Sequence, residues 1–275
     1  MLISEVHSPQ SLPELLELMR LLPAAALYSG GTELLREQAG KYIFLPLETI
    51  SIGALPELRQ VSLTERYLEI GAAVTLAEIL ELKESALPEL LAGALRGVAT
   101  PALRNLATLG GNLATRSRFM DLWAPLACLD ALAELKDAAG SRWINVNRLA
   151  DDEGRPAFPP GALLSRIRVP LERWDAVALR KVGLRDYPAP ETAVFALAAR
   201  AEKGILSDFR LAFAGETALR LREVEGRILG RRLPLGAKER ASFAAEYREA
   251  AAGLPSGLRQ QFGTLVDGAL DLISR

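Results

Sequence analysis

Two glycine pairs, each lying between an apolar run and a helix signal, constrain this chain most. At Ser29-Gly30-Gly31-Thr32 an apolar run over residues 24–28 ends, the chain turns, and helical signals begin at 34–38. At Thr108-Leu109-Gly110-Gly111-Asn112 the arrangement recurs. Glycine tolerates positive φ and lets another group approach the backbone closely. A strand-to-helix turn also gathers free N–H groups at the positive end of a helix dipole. Thr32 adds a hydroxyl donor. Two such cradles suit the two anionic groups of a pyrophosphate, so a dinucleotide is a natural ligand. A lone Gly-Gly-Thr is more often a plain tight turn, and on spacing alone that reading stays open. Neither loop has the G-x-G-x-x-G spacing or the Walker pattern.

Composition narrows the chemistry. The 275 residues include one Cys and one His. That excludes an intramolecular disulfide, an iron–sulfur cluster, a four-thiolate zinc site and every two-histidine metal motif on this chain. No metal site is expected here. The 33 Lys and Arg against 34 Asp and Glu give a net charge of −1, with no electrostatic reason to expect nucleic acid. Redox chemistry would therefore need a borrowed organic cofactor. The N-terminus lacks a secretory signal pattern, and no stretch approaches the ~20 apolar residues of a membrane helix. A cytoplasmic, reduced setting agrees with a single unpaired thiol.

Along the chain, Ser11 and Glu14 resemble a capping box with Pro13 in the first turn, and Leu12, Leu15, Leu16, Met19 and Leu22 recur at helical spacing. Strands are expected at 24–28, 42–45, 61–64 and 67–70. Thr75 and Glu78 form a second capping box before a short helix over 76–82. A helix is expected at 87–98, a helix or buried strand at 121–132, and a strand at 143–146. Residues 151–161 hold three prolines, two glycines and four charges, which is a linker composition. Beyond them, strands are expected at 163–169, 176–182 and 208–214, and a helix at 189–203 on composition. The tail from Leu219 reads as helices split by Gly226, Gly230, Pro234 and Gly253. The expected division is an α+β domain over 1–155 and a smaller α+β domain over 156–275.

The residues at this point resemble a known family. Tyr28-Ser-Gly-Gly-Thr-Glu-Leu-Leu35 looks like the first flavin loop of the FAD-binding (medium) subunits of molybdenum hydroxylases, the group of xanthine dehydrogenase and carbon monoxide dehydrogenase. The stretch from Ala99 to Leu113, containing Thr-Leu-Gly-Gly-Asn, resembles the second loop and is the most specific feature. Leu68 to Ile79 is similar to the strand and capped helix between the loops. Leu163–Pro170 looks like the strand that opens the C-terminal domain, and 208–215 with 223–230 like its later strand and helix.

The resemblance implies a vanillyl-alcohol-oxidase-type FAD-binding domain of two α+β subdomains. A C-terminal α+β domain with a three-stranded antiparallel sheet and helices would follow. It implies FAD on this chain, with molybdopterin on a large partner and [2Fe-2S] clusters on a small one. Electrons would pass from the clusters through FAD to NAD or another acceptor. Carried over by position, Ser29, Gly30, Gly31 and Thr32 match the first pyrophosphate loop, flanked by Leu27, Tyr28, Glu33 and Leu34. Thr108, Gly110, Gly111 and Asn112 match the second loop, and Thr115 a frequent cofactor contact. Asp121 matches an acidic residue that bonds the ribityl or adenosine side. Leu164 matches a residue whose backbone lies by the isoalloxazine, and Lys181 a cation near the flavin ring, where it would stabilise a reduced, anionic flavin.

One segment departs from the pattern. Where the family has a Ser-Pro-x-Ser-Asp type run, this chain has Ser117-Arg118-Phe119-Met120-Asp121. The acidic residue is kept and a hydroxyl is lost at Met120. Arg116 and Arg118 are expected to meet the pyrophosphate or a partner. The departure motivates a second reading, a non-catalytic scaffold of the same fold that has lost or weakened its FAD binding. A third is an independent flavin oxidase. His7 is read as surface or structural and without a paired ligand, Cys128 as a buried small residue, and Trp123, Trp143 and Trp174 as core. Asp151, Asp152 and Glu153 read as solvated. Arg180, Lys181 and Arg185 read as a basic rim or a charged strand edge, and Arg227, Arg231 and Arg232 as facing solvent or a partner.

Overall fold

The computed structural model describes residues 5–36, 38, 44–115, 118–183 and 192–274. The chain begins with β1 (Glu5–His7), α1 (Leu12–Leu21), β2 (Ala26–Tyr28), α2 (Thr32–Arg36) and β3 (Glu48–Ser51). These strands form a parallel sheet in the order β1-β3-β2. Ser11 caps α1 by accepting from the Glu14 N–H, and Leu15 seals the helix onto Ile50, Ile52, Leu55 and Leu58. Of the strand expected at 42–45, residues 42 and 43 lie outside the described residues, and Phe44 and Leu45 are irregular. A strand the sequence reading did not name is β3, where Thr49 and Ile50 are buried in the middle of the sheet.

The middle region is built on a second sheet. It contains β4 (Val61–Leu63), β5 (Tyr67–Gly71), α3 (Leu76–Leu80), α4 (Glu89–Gly97), α5 (Pro101–Arg104), α6 (Leu109–Leu113) and α7 (Trp123–Cys128). After these come β6 (Leu132–Asp137), β7 (Gly140–Asn145) and β8 (Leu163–Pro170). The sheet order is β4-β5-β8-β6-β7, and the strands pair antiparallel. The expected hairpin of β4 and β5 is present, and Thr75 and Glu78 make the reciprocal capping box that starts α3. Leu163–Pro170 is hydrogen-bonded between β5 and β6, so it completes this sheet rather than opening the next one. Sequence could not show this, because β8 is filled in from a distant part of the chain.

The last third contains β9 (Ala176–Val182), β10 (Ala193–Glu202), β11 (Ile205–Ala214) and β12 (Ala218–Leu219). Helices α8 (Arg222–Ile228), α9 (Ala237–Ala250) and α10 (Ser256–Leu272) follow. The sheet is antiparallel, with three long strands and the two-residue β12 at one edge. Gly226 lies inside α8 and does not split it. The segment expected to be helical at 189–203 is instead β10 from Ala193 onward, and 189–191 lie outside the described residues. The physical reason is burial on both faces. Ala193, Phe195, Leu197 and Ala199 face the α8–α10 core, while Val194, Ala196 and Ala198 face the core that contains α7. A strand that is apolar on both sides loses its period-two pattern, and its alanines mimic helix composition.

Alanines on the α7 side let helix and sheet approach closely, because α7 packs directly on β10 and β11. Charges seal the same junction. Arg220, nearly buried, pairs with Asp130 at 2.7 Å and Glu225 at 3.0 Å, and Arg210 meets Asp130 at 3.3 Å. Asp130 adopts φ +53°, a left-handed conformation that Asp tolerates better than most residues. No helix among the described residues is long and apolar enough to cross a membrane.

Two outcomes follow from this junction. Ala196→Leu inserts a branched side chain between β10 and α7, and urea unfolding should register a loss of about 1–3 kcal/mol. Burial raises the Asp130 pKa, but the Arg220 hydrogen bond and the Arg220, Arg210 and Arg222 charges outweigh it and hold the group below its ordinary value. The stabilisation is therefore complete above the unfolded value of about 3.9 and is lost as pH falls through the lower folded value. Asp130→Asn should cost about 1–3 kcal/mol at neutral pH, because Arg220 keeps Glu225 and Arg210 keeps Asp208 but both lose a shared charged hydrogen-bond partner. The variant should also lose stability less steeply than wild type on acidification below about pH 4.

Candidate cofactor-binding site

The first glycine loop begins where β2 ends. The Ile52 N–H donates to the Tyr28 carbonyl at 2.8 Å, and the Leu35 N–H to the Gly31 carbonyl at 2.9 Å, which fixes both sides of the turn. Gly31 has φ +67°, and a Cβ there would lie 2.3 Å from the Tyr28 ring. A Cβ on Gly30 would lie 1.8 Å from the Leu106 carbonyl oxygen. Leu106 lies two residues before Thr108, so the first glycine pair packs against the backbone that leads into the second loop. The Ser29 hydroxyl is buried with no hydrogen-bond partner among the described residues. Thr32 opens α2, Glu33 is held by Arg36 at 2.7 Å, Leu34 is half-buried and Leu27 is exposed at the rim.

The second loop is tied differently. Thr108 caps α6 by accepting from the Gly111 N–H at 3.2 Å. The Leu109 and Gly110 amides donate to the Val74 and Ala72 carbonyls at 3.1 and 2.8 Å. A Cβ on Gly110 would lie 2.7 Å from the Ala72 Cβ, so this glycine is needed for contact with the chain after β5. Gly111 is roomier, with only the Thr108 Oγ1 within 3.0 Å of a Cβ. The Thr115 hydroxyl donates to the Gly111 carbonyl at 3.0 Å. Both α2 and α6 are five residues long, under two turns. Their macrodipoles are correspondingly small, so anion binding here would depend on local N–H groups and hydroxyls.

The residues after the second loop bring the remaining candidates together. The Asn112 Oδ1 accepts from the Leu122 N–H at 3.1 Å. Asp121, 4% exposed, pairs with Lys181 of β9 at 3.0 Å. Two residues matched separately, about a quarter of the chain apart, thus form one charge pair. Leu164 is buried in β8 among the core residues that include Leu109 and Leu113 of α6. Arg118 corrects an expectation: it is not displayed to a pyrophosphate or partner but 7% exposed, and it donates to the Thr192 carbonyl. Arg116, Ser117 and Arg185 lie outside the described residues.

Sequence reasoning missed the Leu106 carbonyl, Ala72, Thr192 and the ties of residues 118–122, since main-chain contacts carry no residue signature. It also left His7 without a partner. His7 Nε2 lies 2.7 Å from Glu48, and Glu5, His7 and Glu48 bring their ligand-type atoms within 4.8 Å of one another. The register of β1 on β3 creates that cluster. Trp123 is in the core as expected, while Trp143 stacks with Arg168 at 4.2 Å and Trp174 with Arg210 at 4.6 Å. Asp151 and Glu153 pair with Arg155, Arg227 with Glu246, and Arg231 with Glu239.

The donor set fits a dinucleotide such as FAD. A buried hydroxyl without a partner is unusual and suits a phosphate oxygen. Gly30→Ala should drive a methyl group into the Leu106 carbonyl and cost about 3 kcal/mol in urea unfolding. Gly111→Ala has more space in a helix and should change stability by less than about 1 kcal/mol.

A sequence profile of the FAD binding domain in molybdopterin dehydrogenase matches residues 2–172. The chain is 29% identical over 229 residues to the xanthine dehydrogenase FAD-binding subunit of Escherichia coli O157:H7, covering 80% of this chain and 77% of that protein. Carbon monoxide dehydrogenase from Hydrogenophaga pseudoflava aligns with a TM-score of 0.81 at 24% identity, over 98% of this chain and 96% of that one. Quinoline 2-oxidoreductase from Pseudomonas putida 86 aligns at 0.78 and 22% identity, over 98% and 95%. The two structural likenesses concern the fold, a mixture of sheets and helices shared along nearly the whole chain. With the profile covering residues 2–172 of 275, this chain belongs to the family of FAD-binding domains of molybdopterin dehydrogenases, a family of oxidoreductase flavoproteins.

Proposed function

We propose that this chain is the FAD-binding electron-transfer subunit of a molybdenum hydroxylase. The observation that carries the reading is the contact of Gly30 with the Leu106 backbone that leads into the second loop, next to a buried Ser29 hydroxyl that has no hydrogen-bond partner among the described residues. That geometry supports pyrophosphate binding at the first loop. Ser29 and Thr32 would bind it, with Gly31 providing the turn. Thr108, Gly110 and Asn112 tie the second loop to its neighbours. Lys181 would hold an ammonium donor toward the flavin, oriented and charge-balanced by Asp121 at 3.0 Å. FAD, when bound, supplies the capacity to accept and release electrons, which no side chain of this chain offers.

The layout fits the vanillyl-alcohol-oxidase type. The β1–β3 sheet with α1 and α2 forms one subdomain, the five-stranded sheet with α3–α7 the second, and the C-terminal unit begins after Pro170. We assign the molybdopterin to a large partner and the [2Fe-2S] clusters to a small one. Electrons enter from the clusters and leave to NAD or another acceptor.

Purification of the full chain tests this reading. The expected product is yellow, holds equimolar FAD, and is reduced anaerobically only when the iron–sulfur partner and its substrate-oxidising subunit are added. Colourless protein that takes up no added FAD would instead indicate a scaffold. Rapid reduction by a small substrate without partners would indicate an independent oxidase.

A further inference from the structure

Residues 118–122 form a strap that touches every long strand of the C-terminal sheet. Arg118 donates to the Thr192 carbonyl at the root of β10. The Phe119 N–H donates to the Gly215 carbonyl, just beyond β11, at 2.7 Å. Asp121 pairs with Lys181 on β9. At its far end, the Leu122 N–H donates to Asn112 in the second glycine loop. Phe119, Met120 and Asp121 are all buried, and the Phe119 ring packs 4.7 Å from Trp123. The strap therefore couples the C-terminal sheet to the loop that backs the cofactor site.

We propose that Arg118 is a positioning residue for that site: its buried guanidinium holds the Thr192 carbonyl and so sets the register in which Asp121 meets Lys181 and Asn112 receives the Leu122 amide. This rests on the FAD reading above. Three local features support it. Lys181 is opposite Val194 in the β9–β10 ladder, so Thr192 and Lys181 lie at the same end of the same strand pair. A guanidinium stays charged when buried, where an ammonium would shed its proton, and its fixed fork orients the bond. A Cβ on Gly215 would lie 2.7 Å from the Thr192 oxygen, so a glycine there leaves the acceptor accessible to Arg118. The segment that looked degenerate in sequence is thus an alternative anchor for the acidic residue it carries.

The test uses the full chain loaded with FAD and four variants: Arg118→Met, Arg118→Lys, Asp121→Asn and the double variant Arg118→Met with Asp121→Asn. FAD affinity, visible circular dichroism of the flavin, midpoint potential and melting temperature are measured on each. Arg118→Met is expected to weaken FAD binding about tenfold. It should also change the ratio of affinities for oxidised and reduced flavin about tenfold, a shift of about 30 mV for a two-electron couple. Arg118→Lys should recover part of both, and in the Asp121→Asn background Arg118→Met should add less than twofold to either.

A fall in melting temperature with affinity, spectrum and potential unchanged would overturn the proposal, and so would a full Arg118→Met effect in the Asp121→Asn background. If Arg118→Met does not fold, Gly215→Ala crowds the same acceptor and must reproduce the shifted spectrum and potential for the proposal to stand. Failure of wild type to bind FAD would sink the functional reading itself, an outcome distinguishable from the others because it precedes any variant. An Asp121→Asn protein indistinguishable from wild type would remove the residue through which Arg118 is held to act.

Discussion

In the sheet of β9, β10 and β11 the central strand β10 is buried on both faces from Ala193 to Ala199, and the sheet does different work on each side. Toward α8–α10 it presents Phe195, Leu197, Phe209, Leu211 and Phe213, a large-residue surface that interlocks with Phe262 and Tyr247. Toward α7 it presents Val194, Ala196, Ala198, Ala212 and Ala214, a flat surface of small side chains. The first face holds the helices by area. The second brings main chains close, and that proximity puts Thr192, Gly215 and Lys181 within hydrogen-bonding reach of residues 118–121. The ties across that gap combine the Arg118 and Lys181 side chains with one main-chain bond, from the Phe119 N–H to the Gly215 carbonyl, and all three depend on such proximity.

Charge finishes what packing begins. Asp130, Arg210, Arg220 and Glu225 occupy the edge of the same junction, and each has an opposite partner within 3.3 Å. Buried ions contribute little when compared with a well-packed apolar contact, but breaking such a set exposes each remaining member to an uncompensated desolvation cost. The network therefore fixes one orientation of the C-terminal sheet against α7. Cys128 sits beside it, fully buried, with its thiol pKa pushed up by burial. A thiol held protonated is a poor nucleophile and a poor metal ligand, so the chain's one sulfhydryl contributes packing rather than redox chemistry.

Part of the fold was legible residue by residue. The Ser11 cap and the Thr75 capping box rely on contacts between residues a few positions apart, and the sequence displays such contacts directly. The reading failed wherever a distant segment supplied the other half. β10 looked helical because the α8–α10 core and the core that contains α7 bury both its faces, and β8 looked like the start of a new sheet because its neighbours lie far away in sequence. Arg118 looked exposed because a charge in a loop normally is, and the carbonyl that accepts its proton is 74 positions away.

By itself the sequence determined the chemistry available to this protein: two glycine turns that admit close backbone approach, hydroxyls at Ser29, Thr32 and Thr108, and too few sulfur and imidazole groups for an iron–sulfur cluster or a two-histidine metal site. Local conformation and elemental composition follow from residue identity alone. Only the tertiary structure decided that Gly30 packs against the Leu106 backbone that leads into the second loop, and that Asp121 and Lys181 form one ion pair. It also decided that the 118–122 segment is a strap held from three strands. Those outcomes depend on which surfaces bury one another, and burial is a property of the whole packed chain.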